Sequence, residues 1–498
     1  MTSRLTGLAM LALGASAPLA AQGYRVWLDT HFQTAAFRGI EADSILAADA
    51  VVGSSGGMES ADGFAVTCGF NGYCRFFRPG ARVHASPLVQ QADVTAWGFG
   101  LPGLSVRANA RALTDLTAGN AWPETEPALQ LLEGYAEYAV PALTARAGRQ
   151  MFTTRLGPTG FDGGRVLLRS QRLHLDGDVF GGWGLARATA LPITSPDLNP
   201  LDEFRPSARG LVFGGALGWS TARASLRADY VRELESDTRY FISERAALSA
   251  EIRPAVRWSL AGGAEYDLAQ GWWGTADAQL RYASPKLTVS LAGRHYRPHF
   301  DLWTIWGAFS PVPYNSGTAA VWVRPIARLE LRASGELYDF AATETETPLV
   351  DVEGDGWRTG IGATLTIAPG WSADADLHAE FGPGASSRQL EGAVTYSPAP
   401  PVSLSARVAS LRRPLEFRYD DAAVTMFAFD ASFPLGARLR IGVGAAQFSE
   451  ERRRPDAAAF DWDQTRLYAR VTALFGSSAD RLPLPPARRA RRIAGETP

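Results

Sequence analysis

From Ala327 to Phe340 the chain reads ARLELRASGELYDF, and its residues sort by parity. Leu329, Leu331, Ala333, Gly335 and Leu337 fall on one side; Arg328, Glu330, Arg332, Ser334, Glu336 and Tyr338 fall on the other. Successive side chains leave opposite faces of a pleated strand, so strict alternation dictates a strand with one apolar and one polar face. One face needs an apolar medium. The other needs water and counter-charges.

The pattern recurs. LSVRANARA sets Leu104, Val106, Ala108 and Ala110 against Ser105, Arg107, Asn109 and Arg111. WSADADLHAEF sets Trp371, Ala373, Ala375, Leu377, Ala379 and Phe381 against Ser372, Asp374, Asp376, His378 and Glu380. VSLSARVASL and LYARVTALF repeat it further on. Each segment is about 9–13 residues, the length a tilted strand needs to cross hydrocarbon.

The connections alternate too. Every other one is tight and carries proline or glycine: Leu101-Pro102-Gly103, Val140-Pro141-Ala142, Arg253-Pro254-Ala255, Ser284-Pro285-Lys286, Arg324-Pro325-Ile326, Ala368-Pro369-Gly370, Ser397-Pro398 and Pro434-Leu435-Gly436. Between them lie longer polar stretches at 39–86, 113–128, 151–163, 188–209, 234–244, 298–315, 341–356 and 449–463. A soluble sandwich has no reason to keep its long loops at one end. An outer-membrane barrel has short periplasmic turns and long external loops. Trp97, Trp219, Trp258, Tyr282, Trp322, Trp371 and Tyr396 crowd near the tight turns, as an aromatic girdle at one membrane interface would.

These signals predict an all-β fold, a transmembrane antiparallel β-barrel of about 22 strands (18–22, because 164–190 is hard to divide) with short periplasmic turns and long extracellular loops. Closure is required because strand edges cannot stay open in hydrocarbon. The barrel is expected over 22–475. The opening MTSRLTGLAMLALGASAPLAAQG has Arg4, an apolar Leu5–Leu13 core and small residues at Ala20–Ala21, the pattern of a signal peptide over 1–21. Residues 476–498, proline-rich with Arg488, Arg489, Arg491 and Arg492, read as a disordered basic periplasmic tail. The terminal aromatic of the last strand, Phe475, resembles the signal by which barrel-assembly machinery recognises its clients.

A formal net charge of −2 predicts no nucleic-acid partner. The two cysteines, Cys68 and Cys74, close the short loop CGFNGYC and are expected to form a disulfide in an oxidising compartment. The six histidines show no HExxH spacing, and no GxSxG, P-loop or dinucleotide fingerprint occurs. No cofactor, metal or catalytic residue is therefore expected. The acidic DVEGDG at 351–356 opens like a calcium loop, but Gly362 stands where an EF-hand needs glutamate.

On the polar faces, Arg107, Arg111, Arg146, Arg149, Arg165 and Arg169 come from early strands, and Arg328, Glu330, Arg332, Glu336, Asp374, Asp376 and Glu380 from later ones. All are pore-lining candidates. Basic and acidic walls would set up a transverse field that orients polar solutes; pairing between neighbouring strands is the plainer alternative. RAGRQMFTTRLGPTGFDGGRV, Arg146 to Val166, resembles the GRQ…G…FDG(V/G)R pattern of alginate-export-type outer-membrane porins, through Gly148, Arg149, Gln150, Gly157, Phe161, Asp162, Gly163 and Arg165. The resemblance covers about twenty residues, and the tryptophan and asparagine usual before FDG are missing, so it implies only the porin class and an arginine-rich lumen passing anionic solutes. Strict parity sets Arg149 opposite Arg146, and a bulge near Gly148 is needed for both to point inward.

The expected function is an outer-membrane porin for passive diffusion of small polar solutes, anionic ones included, with outer-membrane lipid around it. A structural or surface-binding barrel is the alternative, and an outer-membrane enzyme a more distant one. A plugged active transporter would place a folded domain ahead of the barrel, whereas strand one begins near Tyr24. A barrel this wide needs narrowing, and either 39–86 or 298–315 is expected to fold inward.

Overall fold

The computed structural model describes residues 23–53, 57–64, 66–69, 72–117, 128–185, 209–235, 241–297, 299, 313–341, 354–382, 385–399, 402–415, 421–454 and 462–477. The expected leader over 1–21, the expected tail except for Gly476 and Ser477, and most of 298–315 lie outside them.

Twenty-two antiparallel strands close on themselves. The first, Gly23–Leu46, pairs on one side with the last, Trp462–Gly476, in a register that sets His31 opposite Arg470. On its other side it pairs with Pro87–Trp97 and, higher up, with Tyr73–Ala85; only Ser86 separates these two, and they form the second stave. The remaining staves follow in chain order from Leu104–Asp115 to Trp462–Gly476, each hydrogen-bonded to the one before it. Closure abolishes the sheet edge, as a wall standing in hydrocarbon requires.

The two parities separate as the alternation demands. Leu331, Leu337, Ile361, Leu377 and Leu390 are exposed, Leu337 at 71%, while on the opposite parity Arg358 engages Glu336 and Glu380, and Arg332 engages Asp376. Exposed leucines on a convex wall stabilise nothing in water; in lipid they supply the apolar band. The chain is a membrane-spanning barrel of the outer-membrane type.

The proline and glycine turns gather at one end, with Gly23 and Gly476 beside them. The Ser477 amide donates to the Tyr24 carbonyl at 3.0 Å and ties the residue after the last strand to the first strand. Gly103 shows why such a turn needs glycine: its φ is +87°, and a Cβ there would strike the Ala139 carbonyl. The stretch 164–190 divides at a turn over 171–174, where His174 takes φ 56° between Gly157–Ser170 and Leu175–Gly184.

Register corrects the girdle. Trp258 packs on Tyr282 at 5.1 Å and Trp371 stacks on Tyr396 at 4.3 Å, all outward, with Trp219 in the same band. Trp97 shares the parity of Asp93, and Trp322 stands opposite Arg332, so both belong to the inner face. A second outward girdle, made by Trp183, Trp273, Trp357 and Phe381, marks the other interface.

Two connections differ from expectation. The stretch 39–86 does not form an irregular loop: Ala35–Leu46 and Tyr73–Ala85 pair as a two-stranded ribbon continuous with the wall, shifted once between Arg38 and Ile40. The Cys68–Cys74 disulfide closes its far end, where Phe64 packs on Phe76 with ring centroids 5.5 Å apart. The stretch 151–163 is not a long loop either. Leu143–Thr154 and Gly157–Ser170 meet in a turn at Arg155–Leu156, made possible by Gly157 at φ +102°.

Candidate functional site

Above one register row, the hairpin around Arg155 leaves the wall. Its pairing with Leu129–Val140 ends at Gly134↔Arg149, and its pairing with Leu175–Gly184 ends at Phe161↔Gly184. Beyond those points, apart from one bond from the Leu185 amide to the Gly160 carbonyl at 3.0 Å, the strand segments Gln150–Thr154 and Gly157–Gly160 pair only within the hairpin. Its tip then meets strands that are not its neighbours. Leu156 joins Phe161, Phe180, Val212, Val231 and Ala247 in one buried cluster, with Phe152 against it. Arg155 pairs with Asp277 and lies 3.9 Å from Glu265. A hairpin can touch strands this far round the wall only through the concave side, so the segment folds into the lumen. These contacts also fix which parity is interior.

The cluster is well packed. Phe161 is 0% exposed, meets Phe152 edge-on at 6.0 Å and stacks on Phe180 at 5.5 Å, and Gln150 beside it is 1% exposed. The Arg165 guanidinium lies 4.3 Å from the Phe152 ring centroid and pairs with the buried Asp178. Among the described residues, the inward element is thus this hairpin. The expected 39–86 segment forms the ribbon instead, and 298–315 falls largely outside the described residues.

Most predicted lumen charges sit on the interior parity and are paired across neighbouring strands. Arg107 lies 2.7 Å from Asp93 and 3.5 Å from Glu133; Arg111 donates to Gln130 at 2.8 Å; Arg146 pairs with Glu137. Glu330 accepts from Arg324 at 2.8 Å. Arg332 pairs with Asp376 and donates to Thr364 at 2.8 Å. Arg358 bridges Glu336 at 3.4 Å and Glu380 at 2.8 Å. Arg169 stands opposite Asp176 in register, and Asp374 opposite Thr364. The wall is a mosaic of short dipoles, with carboxylates interleaved among the early arginines: Asp93, Glu133, Glu137 and Asp178. Segregation into a basic and an acidic wall does not occur.

Two candidates leave the lumen. Arg328 occupies the tight turn before Leu329–Phe340 and is exposed there. Arg149 faces outward, because the register 146↔165, 147↔164, 148↔163 and 149↔162 runs without a shift, and no bulge brings it to Arg146's side. Its partner Asp162 faces outward with it. Arg149 Nε and Nη2 donate to the Asp162 carboxylate at 2.7 and 2.9 Å, and Arg209 Nη2 donates to the same carboxylate at 2.6 Å. Arg149 Nη1 also donates to the Leu131 carbonyl at 2.9 Å, and Arg209 Nε to the Gly184 carbonyl at 3.0 Å. The triad therefore caps both sheet edges opened where the hairpin departs.

Sequence reasoning missed Arg155, Asp277, Glu265 and Phe161's neighbours Phe180 and Val231 as a unit. Their contacts join strands distant along the chain, and alternation carries no such information. It also missed an aromatic group near the long-loop end of the lumen: Tyr314 lies 5.3 Å from Tyr296 and 5.4 Å from Phe340, with Arg358 over Tyr338 at 4.7 Å. Among the described residues no group of three histidine, cysteine, aspartate or glutamate side chains is arranged to hold a metal.

No protein-family model matches the sequence, and no characterised relative matches it. Several solved structures are similar to it at low identity. A BenF-like porin from Pseudomonas fluorescens Pf-5 superposes with a TM-score of 0.42 at 10% identity, over 91% of this chain and 99% of the other. Pseudomonas aeruginosa OccK3 (OpdO) gives 0.40 at 12%, over 92% and 97%, and the ferric enterobactin receptor PfeA gives 0.48 at 11%, over 90% and 81%. The 22-strand closure stands on this chain's own pairing rather than on these superpositions.

Proposed function

We propose that the barrel is a passive channel for small polar solutes, narrowed by the inward hairpin Gln150–Phe161. The observation that carries this reading is the hairpin's anchorage inside an enclosed polar lumen, by the Phe161 cluster and by Arg155 on Asp277 and Glu265. A wide barrel left open would pass solutes without discrimination, and a fixed inward element gives the passage a narrowest section.

Local pairing of the lumen charges argues for orientation of dipolar solutes over strong selection by charge sign. Anionic solutes stay within the class, without a preferential role. The likeness to alginate-export-type porins loses part of its lumen argument, since Arg146 and Arg165 point inward but Arg149 and Asp162 point outward. The reading is of a channel and not an enzyme. The disulfide-closed ribbon favours a second reading, a surface-binding barrel, because it extends the first hairpin beyond the paired wall.

Planar-bilayer recording decides between them. A channel gives discrete steps with a cation-to-anion permeability ratio within a few-fold of unity; absence of steps above background returns the protein to the surface-binding reading.

A further inference from the structure

The outward triad invites a question its structural role leaves open. Two guanidiniums share one carboxylate, so the group carries a net positive charge on a wall that faces lipid. Each arginine caps one of the two opened edges, and the single aspartate between them neutralises only one of the two charges.

Its surroundings define the chemistry. The register row through the triad runs Gly134, Arg149, Asp162, Trp183. Trp183 is exposed and belongs to the girdle at the long-loop end, which places the charges at headgroup depth. The row directly beneath, toward the membrane centre, is Ala136, Ala147, Gly164, Gly181. A Cβ on Gly164 would find nothing nearer than 3.9 Å. A shallow trough almost free of side chains therefore begins just below two arginines. Cations at headgroup level above an acyl-sized trough fit one kind of molecule. We propose that this outer face binds a phosphate-bearing lipid of the outer leaflet, its phosphate on Arg149 and Arg209 and an acyl chain along the alanine–glycine row.

The inference rests on the outward face meeting lipid and is independent of the channel reading, since no triad residue faces the lumen.

The test is native mass spectrometry of the full chain, extracted from outer membranes in mild detergent and then exchanged with bis-phosphorylated lipid A or its dephosphorylated form. Wild type should retain the phosphorylated lipid and not the dephosphorylated one, and R149Q/R209Q should retain about fivefold less. D162N, which removes the internal competitor, should retain at least as much as wild type. Should the double variant fail to assemble, R209Q alone carries the test with the same direction of change. Equal retention by wild type and the arginine variants would overturn the proposal. So would a D162N loss matching theirs, the mark of a purely structural staple, or protein dimers in place of lipid adducts.

Discussion

Arg155, at the tip of a hairpin, pairs with Asp277 across five intervening strands of the barrel wall. Both side chains are partly shielded, Arg155 at 17% exposed and Asp277 at 37%, and Glu265 stands on the other side of the guanidinium. R155A would leave two carboxylates facing each other in the lumen, a loss of about 1–3 kcal/mol for the hairpin's docked position. Single-channel conductance should rise and become noisier. D277N should do the same more weakly, and the double variant should add little to R155A, as expected of residues in one network. Unchanged conductance in R155A would remove the hairpin from the narrowest section.

The aromatic cluster is the larger anchor. Phe161 is fully buried between Phe152 and Phe180. F161A should cost about 3–5 kcal/mol, because the lost apolar contact is compounded by the cavity left behind. Below the row Arg149–Asp162 the wall keeps its own strand pairing, even where Phe180 contributes to the cluster. F161A should therefore keep an assembled, heat-modifiable barrel while the hairpin becomes susceptible to protease near Arg155. Loss of the whole barrel would show instead that the cluster nucleates the wall.

Strand identity, closure and the lipid-facing parity were legible because they are local or collective. Leu329 to Leu337 announce one face, and edges in hydrocarbon force the rest. Gln150–Phe161 was not legible. Its residues lack the alternation of a wall strand, and FTTRLGPTG reads as a loop because threonine, glycine and proline dominate it. What pulls it inward is the fit of Phe161, Leu156 and Phe152 against Phe180, Val212 and Val231, which only the closed barrel brings together. The charge pattern failed for a related reason. The arginines stand out as a set, but several meet a carboxylate on an adjacent strand, as Arg107 does with Asp93 and Arg146 with Glu137. Trp97 and Trp322 misled because nearness to a turn does not fix a face; parity does.

The Cys68–Cys74 bond spans a short sequence separation at the far end of the ribbon. Closing so small a loop constrains the unfolded chain by about 2 kcal/mol. The gain is confined to the ribbon, since Cys74 lies beyond the wall rows that pair with Leu104–Asp115. C68S/C74S should leave barrel melting and conductance unchanged and speed proteolysis between residues 47 and 72. A drop in barrel stability would mean that the ribbon braces the rim.

The division of the wall into a wet and an oily side can be tested one residue apart. Ala333 and Ser334 are consecutive on Leu329–Phe340; Ala333 stands opposite Val321 and Ile361, and Ser334 opposite Ala320 and Gly360. The first pair of neighbours belongs to the lipid side, where Ile361 is 56% exposed, and the second shares the parity of Arg332 and Glu336. An arginine at mid-depth on the lipid side costs about 2–4 kcal/mol, whereas a lumen arginine stays hydrated beside existing carboxylates. A333R should sharply lower the yield of folded, heat-modifiable protein. S334R should fold at near wild-type yield and shift the permeability ratio toward anions. If the two variants assembled equally well, or if S334R alone failed, the apolar parity would not be facing acyl chains, and a lumen bounded by the other parity could not carry solutes.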